Sequence, residues 1–386
     1  MKTRAALAYR TGEEWSLDKQ LWTIEELEIS KLEPDDVLVR IPFSGICHTD
    51  LHMITGHLTP AMLPMIGGHE GAGIVEDVGS DVTHVRPGDH VVLSIVPACG
   101  VCRYCLMGRS SICDYSTKVL HGRHPDGGTR YRTSTGAEAG QWALLGTFTE
   151  YVVVNRNAAI KMHPEIPFDR AALVGCAVTT GFGAAVEKAQ VHAGDVVVVW
   201  GCGGVGLSAV QGAAVAGAAQ VIAIDRFDLK LDKARELGAT MLIHADRDRS
   251  PNPNRDEVAE RVMEHTSWVG ADSVILCVDY VTPELVGAAF AAVRKGGRVV
   301  VVGSSHESFR SIDVSPLELA MYEKELVGCV YGGGRPGLDL PRNLDLYRRG
   351  RLKLDEMITG RYSLEQINEA FDDLVGGRLV KGIIEF

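Results

Sequence analysis

Four cysteines fall within fifteen residues: Cys99, Cys102, Cys105 and Cys113. Two residues separate each of the first three, and seven separate the last pair. Four thiolates so closely spaced, with Gly100 and Gly108 for the turns, suit one closed tetrahedral zinc. An iron–sulfur cluster is the competing reading. Nothing open or acidic accompanies the four, so this metal is expected to be structural, fixing a lobe with little core of its own. Two further stretches carry chemistry. Gly45–His52 reads GICHTDLH, with Cys47, Asp50 and His52 close together, and Gly67–Gly73 reads GGHEGAG around His69. Taken singly, Cys47 reads as a buried small residue and His69 as a surface histidine.

The stretch Val196–Asp225, VVVVWGCGGVGLSAVQGAAVAGAAQVIAID, carries a different chemistry. A bulky apolar run leads into Gly201, Gly203 and Gly206, then an Ala/Val-rich segment, a second apolar run and an acid. A buried strand, a phosphate-binding turn, a helix and a second parallel strand need this order. Gly201 allows the tight turn, Gly203 a close pyrophosphate, and Gly206 close helix packing. N–H groups at the helix start, around Gly204 and Val205, face the phosphates. Asp225 is placed to accept a ribose diol, favouring NAD over NADP, whereas Arg226 beside it would welcome a 2′-phosphate. The run is also free of charge and long enough to span a bilayer. Its central glycines and β-type ends favour strand–helix–strand.

Elements that could position these groups follow from the chain in order. Residues 1–90 read as short strands, among them Asp36–Ile41, Gly73–Val78 and His90–Ser94. Ser116–Gln141 is polar and reads as a long surface loop, its His121 and His124 as solvated. Strand signals return at Thr147–Val154. Ala171–Ala184 is apolar and holds Cys176, and Thr179-Thr180-Gly181 suits a helix passing close to a cofactor, with Thr180 as the contact. Further on, helical patterns at Glu257–His265 and Glu284–Val293 alternate with strands at Ser273–Val278, whose end places Val278 by the cofactor, and Arg298–Val302. Helices at Leu340–Arg349 and Leu364–Val375 and a strand at Gly382–Phe386 close the sequence. The alternation predicts an α/β chain with a doubly wound parallel sheet over 177–327. A β-rich domain should hold 1–176 and 328–386, with the zinc lobe at 95–115.

The bulk numbers bound the function. At 386 residues the chain can bury two cores, and a net charge of −11 argues against nucleic acid or an anionic membrane as partner. The opening MKTRAALAYRTGEEW is too short in apolar residues for a signal peptide, so a cytoplasmic location is expected. Nine cysteines there point to metal or catalysis rather than disulfides. Cys202, Cys277 and Cys329 read as buried and inert.

GICHTD, GGHEGAG, the four-cysteine lobe, the glycine turn with Asp225, INEAFDDL and the last strand follow one another in order. Together they make the chain resemble the zinc-dependent medium-chain alcohol dehydrogenases over nearly its whole length. PMIGGHEGAG, PACGVCRYC, LGTFTEYVVV and LVGCAVTTG bring it closest to the actinobacterial nicotinoprotein type, assayed with a nitrosoaniline acceptor. The resemblance implies a GroES-like catalytic domain joined to a Rossmann domain. It also implies a catalytic zinc held by Cys47, His69 and Cys176, with Glu70 an acid able to approach it and Asp50 orienting His69. Spacing alone does not pair Cys176 with the other two.

By the same resemblance, Thr49 receives the alcohol proton, which passes through the nicotinamide ribose to His52 and from there to solvent. His48 replaces an arginine facing the pyrophosphate, Lys230 lies near the adenosine ribose, and Lys381 sits where an arginine often binds phosphate. Leu58, Ile95, Leu144 and Leu145 match pocket-wall positions and make the wall aliphatic, suiting a medium-chain, branched or aromatic primary alcohol. Core packing is the alternative for each leucine. The implied cofactors are two zincs and NAD(H), and the implied assembly is a dimer or tetramer. NAD bound tightly, with an external electron acceptor, and NAD exchanging freely both stay open. A thiol-adduct formaldehyde dehydrogenase is a rival. Here Gly56–Thr59 and Asp114–Thr117 lack the charge that binds glutathione. A redox-inactive relative of the fold is the rival from another class, though all ligand positions are filled.

Overall fold

The computed structural model describes residues 1–247, 256–305 and 309–386. They form two compact units, Met1–Cys176 with Gly334–Phe386, and Ala177–Gly333.

In the first unit, five short strands close into a barrel: Lys2–Ala8, Thr23–Ile29, Met65–Ile66, Tyr131–Arg132 and Glu138–Gln141. A seven-stranded sheet lies with it, built around Asp36–Gly45. This strand pairs antiparallel with Glu70–Val78, Tyr151–Asn155 and Lys381–Glu385. Its alternation explains the packing. Val37, Val39 and Ile41 join one apolar cluster with Val75, Leu93 and Val152, while Leu38 joins another with Leu7, Leu27 and Val153. The helix Ile367–Val375 buries Ile367, Ala370, Phe371 and Leu374, and the Phe371 ring packs 5.3 Å from that of Trp22. Spacings of three and four residues put that apolar stripe on one face.

Ser116–Gln141 departs from the expected surface loop. It supplies two of the barrel strands and buries His124, Arg130 and Tyr131. The polarity that suggested solvent is satisfied internally. Arg130 clamps Asp36 and Asp126, and His124 Nε2 meets Gln141 Oε1 at 2.8 Å. His121 is exposed, as expected.

The second unit is organised by six parallel strands, numbered here within their sheet: β1 Val196–Trp200, β2 Gln220–Asp225, β3 Met241–His244, β4 Ala271–Leu276, β5 Val293–Val301 and β6 Glu325–Gly328. Their order is β3-β2-β1-β4-β5-β6, the doubly wound arrangement whose strand order reverses at β1. Val197, Val198 and Val199 are all fully buried, as a parallel strand covered on both faces requires. The charge-free run is thus β1, the helix Gly204–Ala216 and β2. Among the described residues no helix is long and apolar enough to cross a membrane. Residues 328–333, expected in the β-rich domain, group instead with this unit. The cause is a close backbone approach: Gly332 leaves room for no Cβ against the Thr179 carbonyl and the Gly183 backbone of the helix Thr179–Gly183.

Candidate active site and metal centres

The cysteine lobe is a run of short turns. The helix Arg103–Leu106 is capped by Cys102, whose sulfur accepts the Cys105 N–H at 3.5 Å. Cys99 and Cys113 accept further N–H groups, from Cys102 and Cys99, each at 3.3 Å. The Cys105 N–H draws the Cys102 thiol down to about 6, toward its metal-binding form. Cys102 Sγ and Cys113 Sγ stand 3.8 Å apart. A disulfide would need about 2.05 Å. Two thiolates about 2.3 Å from one tetrahedral zinc stand about 3.8 Å apart. All four sulfurs lie within 4.8 Å of one another. Val101, Leu106 and Met107 around them are exposed, so the lobe has little apolar core of its own.

The second cluster brings together Cys47, His69, Glu70 and Cys176, with donor atoms again within 4.8 Å. Each is set by a different element. Cys47 is the N-cap of the helix His48–Ile54. Glu70 opens the strand running to Val78, and His69 directly precedes it. Cys176 lies on the π-helical turn Val174–Val178, a local widening common at functional sites. Asp50, fully buried one turn into the helix, ties them. Its Oδ2 accepts the Cys47 N–H at 3.2 Å, and its Oδ1 accepts the Gly68 N–H at 3.1 Å and His69 Nδ1 at 2.9 Å. That bond fixes the imidazole and turns its other nitrogen inward.

His69 Nε2 is buried and has no hydrogen-bond partner. A carboxylate behind one nitrogen and a free second nitrogen, beside two thiols, is the donor set of a catalytic zinc. Gly45 leaves the space that Glu70 fills: a Cβ there would stand 2.1 Å from Glu70 Oε2. Burial pushes the Glu70 carboxyl up to about 7, against the pull of Lys381. Cys47 is held well below the usual thiol range, first by a hydrogen bond with the Cys176 thiol, which is itself pushed up by the same bond and by burial.

Lys381 was expected at a phosphate. Its buried ammonium instead lies 2.6 Å from Glu70 Oε2 and donates to the Ile46 carbonyl at 2.6 Å. Glu70 therefore has a cation beside it, a partnership that no local spacing signals. Thr49 Oγ1 is 3.6 Å from Cys47 Sγ, at the edge of the cluster. His52 is buried, and its Nδ1 is 3.2 Å from Nδ1 of His57, which is half-buried. Next to Cys47, His48 is half-buried as the first helical residue. Leu58 and Ile95 are partly buried and pack on the cluster that contains Trp142 and Ala143, and Leu144 is 3% exposed. Leu145 departs from the wall role: it is fully buried among Ile41, Leu93 and Val152, so its side chain is core.

In the second unit the glycine turn behaves as its spacing demands. Gly201 has φ +93°, and a Cβ on Gly206 would meet the Gly201 carbonyl at 1.8 Å. Gly203, the N-cap of the helix, has nothing within 4 Å of its would-be Cβ, leaving the approach to the first-turn N–H groups of Gly204 and Val205 open. Gly181 lets the Thr180 segment press on the Val205 carbonyl, and Val278 N lies against Gly201. Asp225 braces the turn: Oδ2 accepts the Cys202 N–H at 2.7 Å, while Oδ1 accepts the Arg226 and Phe227 N–H groups. The Lys230 ammonium sits 4.8 Å over the Phe227 ring, and Arg226 is largely exposed. Open space before a helix N-terminus, with an acid closing the next strand, fits a dinucleotide.

A β-rich unit with two metal-donor sets and a dinucleotide-binding unit define a zinc-dependent dehydrogenase. Residues 33–164 match the model of the alcohol dehydrogenase GroES-like domain and residues 204–347 that of the zinc-binding dehydrogenase. The chain belongs to the zinc-dependent medium-chain alcohol dehydrogenase family and is an oxidoreductase of that type, with zinc and NAD(H) as cofactors. It is 42% identical to an NDMA-dependent alcohol dehydrogenase of Amycolatopsis methanolica, over 100% of this chain and 99% of the relative. Among solved structures, an alcohol dehydrogenase zinc-binding domain protein from Burkholderia ambifaria is similar at 31% identity and TM-score 0.90, covering 100% of this chain and 99% of that one. The benzyl alcohol dehydrogenase of Acinetobacter calcoaceticus follows at 28% identity and TM-score 0.89, with the same coverage.

Proposed function

We propose that the chain oxidises primary alcohols, medium-chain, branched or aromatic, to aldehydes, with NAD as hydride acceptor. The observation that carries this is the convergence of Cys47, His69 and Cys176 with Asp50 behind the imidazole. When bound there, zinc supplies a Lewis acid that lowers the pKa of an alcohol. The chain's own groups do the rest. Thr49, beside Cys47, takes the alcohol proton, and His52, buried one helical turn on, passes it toward solvent. Asp225 at the end of β2 favours NAD over NADP. Leu58, Ile95 and Leu144 present hydrocarbon to the substrate, and the benzyl alcohol activity in the neighbour's name supports an aromatic or branched one.

Tight retention of NAD, with turnover through an external acceptor, is the finer reading, supported by the name of the NDMA-dependent relative. A homodimer or tetramer in the cytoplasm completes the proposal. Purified protein is denatured and its nucleotide counted, then an alcohol panel is run with added NAD and again with an artificial acceptor. Near-stoichiometric NAD(H) and acceptor-dependent turnover support retention. No released nucleotide and full activity on added NAD leave an ordinary exchanging dehydrogenase. No turnover of any alcohol in either format sinks the proposal, and turnover confined to a thiol adduct of formaldehyde replaces it.

A further inference from the structure

The segment Trp142–Gly146 is held against its own backbone preference. Ala143 (φ 51°) and Leu144 (φ 62°) are consecutive non-glycine residues in the left-handed region. Each such residue is strained, and such strain persists only where surroundings over-determine it. Trp142 is buried with its indole N–H unpartnered, a second cost at the same place.

What over-determines it is a buried amide. Gln141, 1% exposed, donates one side-chain N–H to the Leu145 carbonyl at 2.7 Å and the other to the Val153 carbonyl of the central sheet at 2.8 Å. Its Oε1 meets His124 Nε2 at 2.8 Å, so the histidine sets which way the amide points. His124 is itself buried beside Asp36, at 3.6 Å, which Arg130 clamps. The Ala143 N–H bonds to the Val119 carbonyl at 3.1 Å. Both ends of the polar segment 116–141 therefore grip this one short stretch.

We infer that His124 and Gln141 are specificity-determining positioning residues: they pin the strained Ala143–Leu144 backbone and so fix Leu144 in the alcohol pocket. This rests on the proposed alcohol oxidation, with Leu144 as pocket wall. Neither residue touches the substrate.

The test compares Gln141→Leu, His124→Leu, His124→Gln and the double variant Gln141→Leu/Ala143→Gly. The readout is the ratio of kcat/KM for benzyl alcohol to that for ethanol, with zinc content and amide hydrogen exchange over 142–146 measured alongside. His124→Leu and Gln141→Leu should shift the ratio about tenfold or more, a usual size for a reshaped apolar pocket, with both zincs retained and exchange faster. His124→Gln keeps a donor at the Nε2 position and should keep the wild-type ratio. Ala143→Gly, comfortable at positive φ, should restore part of the ratio lost in Gln141→Leu. An unchanged ratio with only a lowered Tm overturns the inference. If Gln141→Leu fails to fold, the two His124 variants decide. If the wild type oxidises no alcohol, the functional proposal fails separately. Hydrogen exchange still judges the clamp, and unaltered exchange in His124→Leu overturns it.

Discussion

Lys381 Nζ lies 2.6 Å from Glu70 Oε2, with both side chains sealed from solvent. The lysine opens the strand Lys381–Glu385, and the glutamate opens Glu70–Val78. The strand Asp36–Gly45 separates them in the sheet and contributes Gly45, whose missing side chain makes the room. Removing one partner of a buried pair leaves the other charge uncompensated, at about 3–5 kcal/mol. Lys381→Met should therefore destabilise the protein by about that much, and the double variant with Glu70→Gln should recover a large part of the loss. Urea unfolding of both measures the coupling, and additive losses would dissolve the pair.

Asp50 orients His69 and also bonds the Cys47 and Gly68 amides. Asp50→Asn should weaken zinc at the catalytic cluster and lower kcat/KM by about 10–100-fold, the usual effect of losing such a partner. Metal analysis after dialysis should find one zinc retained, that of the cysteine lobe. Loss of both zincs would contradict the separation of the two centres.

Two glycines of the same turn should respond oppositely. A methyl at Gly206 collides with the Gly201 carbonyl, whereas one at Gly203 meets open space. Gly206→Ala should lower Tm sharply. Gly203→Ala should keep Tm yet raise the Kd for NAD by at least about tenfold, about 1.4 kcal/mol. Calorimetry with and without NAD distinguishes them. Unimpaired NAD binding by Gly203→Ala would remove the dinucleotide from this turn.

Burial, helped by Arg130, holds the His124 pKa below its ordinary value. The unfolded chain therefore takes up a proton here before the folded chain does. That favours unfolding as pH falls from the unfolded value of about 6.5 toward the lower folded one. The histidine's contribution is intact above about pH 6.5 and lost below it. His124→Gln has no such proton, so its Tm should fall less than the wild type's between pH 7 and pH 5. Parallel curves would show that His124 does not titrate with unfolding.

How far the site could be read from sequence depends on how local its chemistry is. The cysteine lobe and the glycine turn were legible because each packs its donors into one short stretch, where spacing alone restricts geometry. The charge-free run resolved into β1, helix and β2 for the same reason. Cys176 was not legible from spacing: it meets Cys47 only because a helix end, a strand start and a π-helical turn converge, and family resemblance alone supplied it. Lys381 was misplaced because its partner lies across a sheet register that no hydropathy pattern encodes. His124 and Gln141 were missed because buried polar groups that satisfy one another have the composition of a loop. Leu145 shows the converse, an aliphatic residue whose type cannot tell pocket wall from core.

The strand Lys381–Glu385 also constrains when the metal site can be assembled. During synthesis the ribosome emits Cys47 and His69 early, and some three hundred residues later the strand that brings Lys381 to Glu70. Until that late strand docks beside Asp36–Gly45, Glu70 lacks the cation that stands against it in the folded chain, so the acid and the metal donors beside it reach their final setting only when both strands flank the central one.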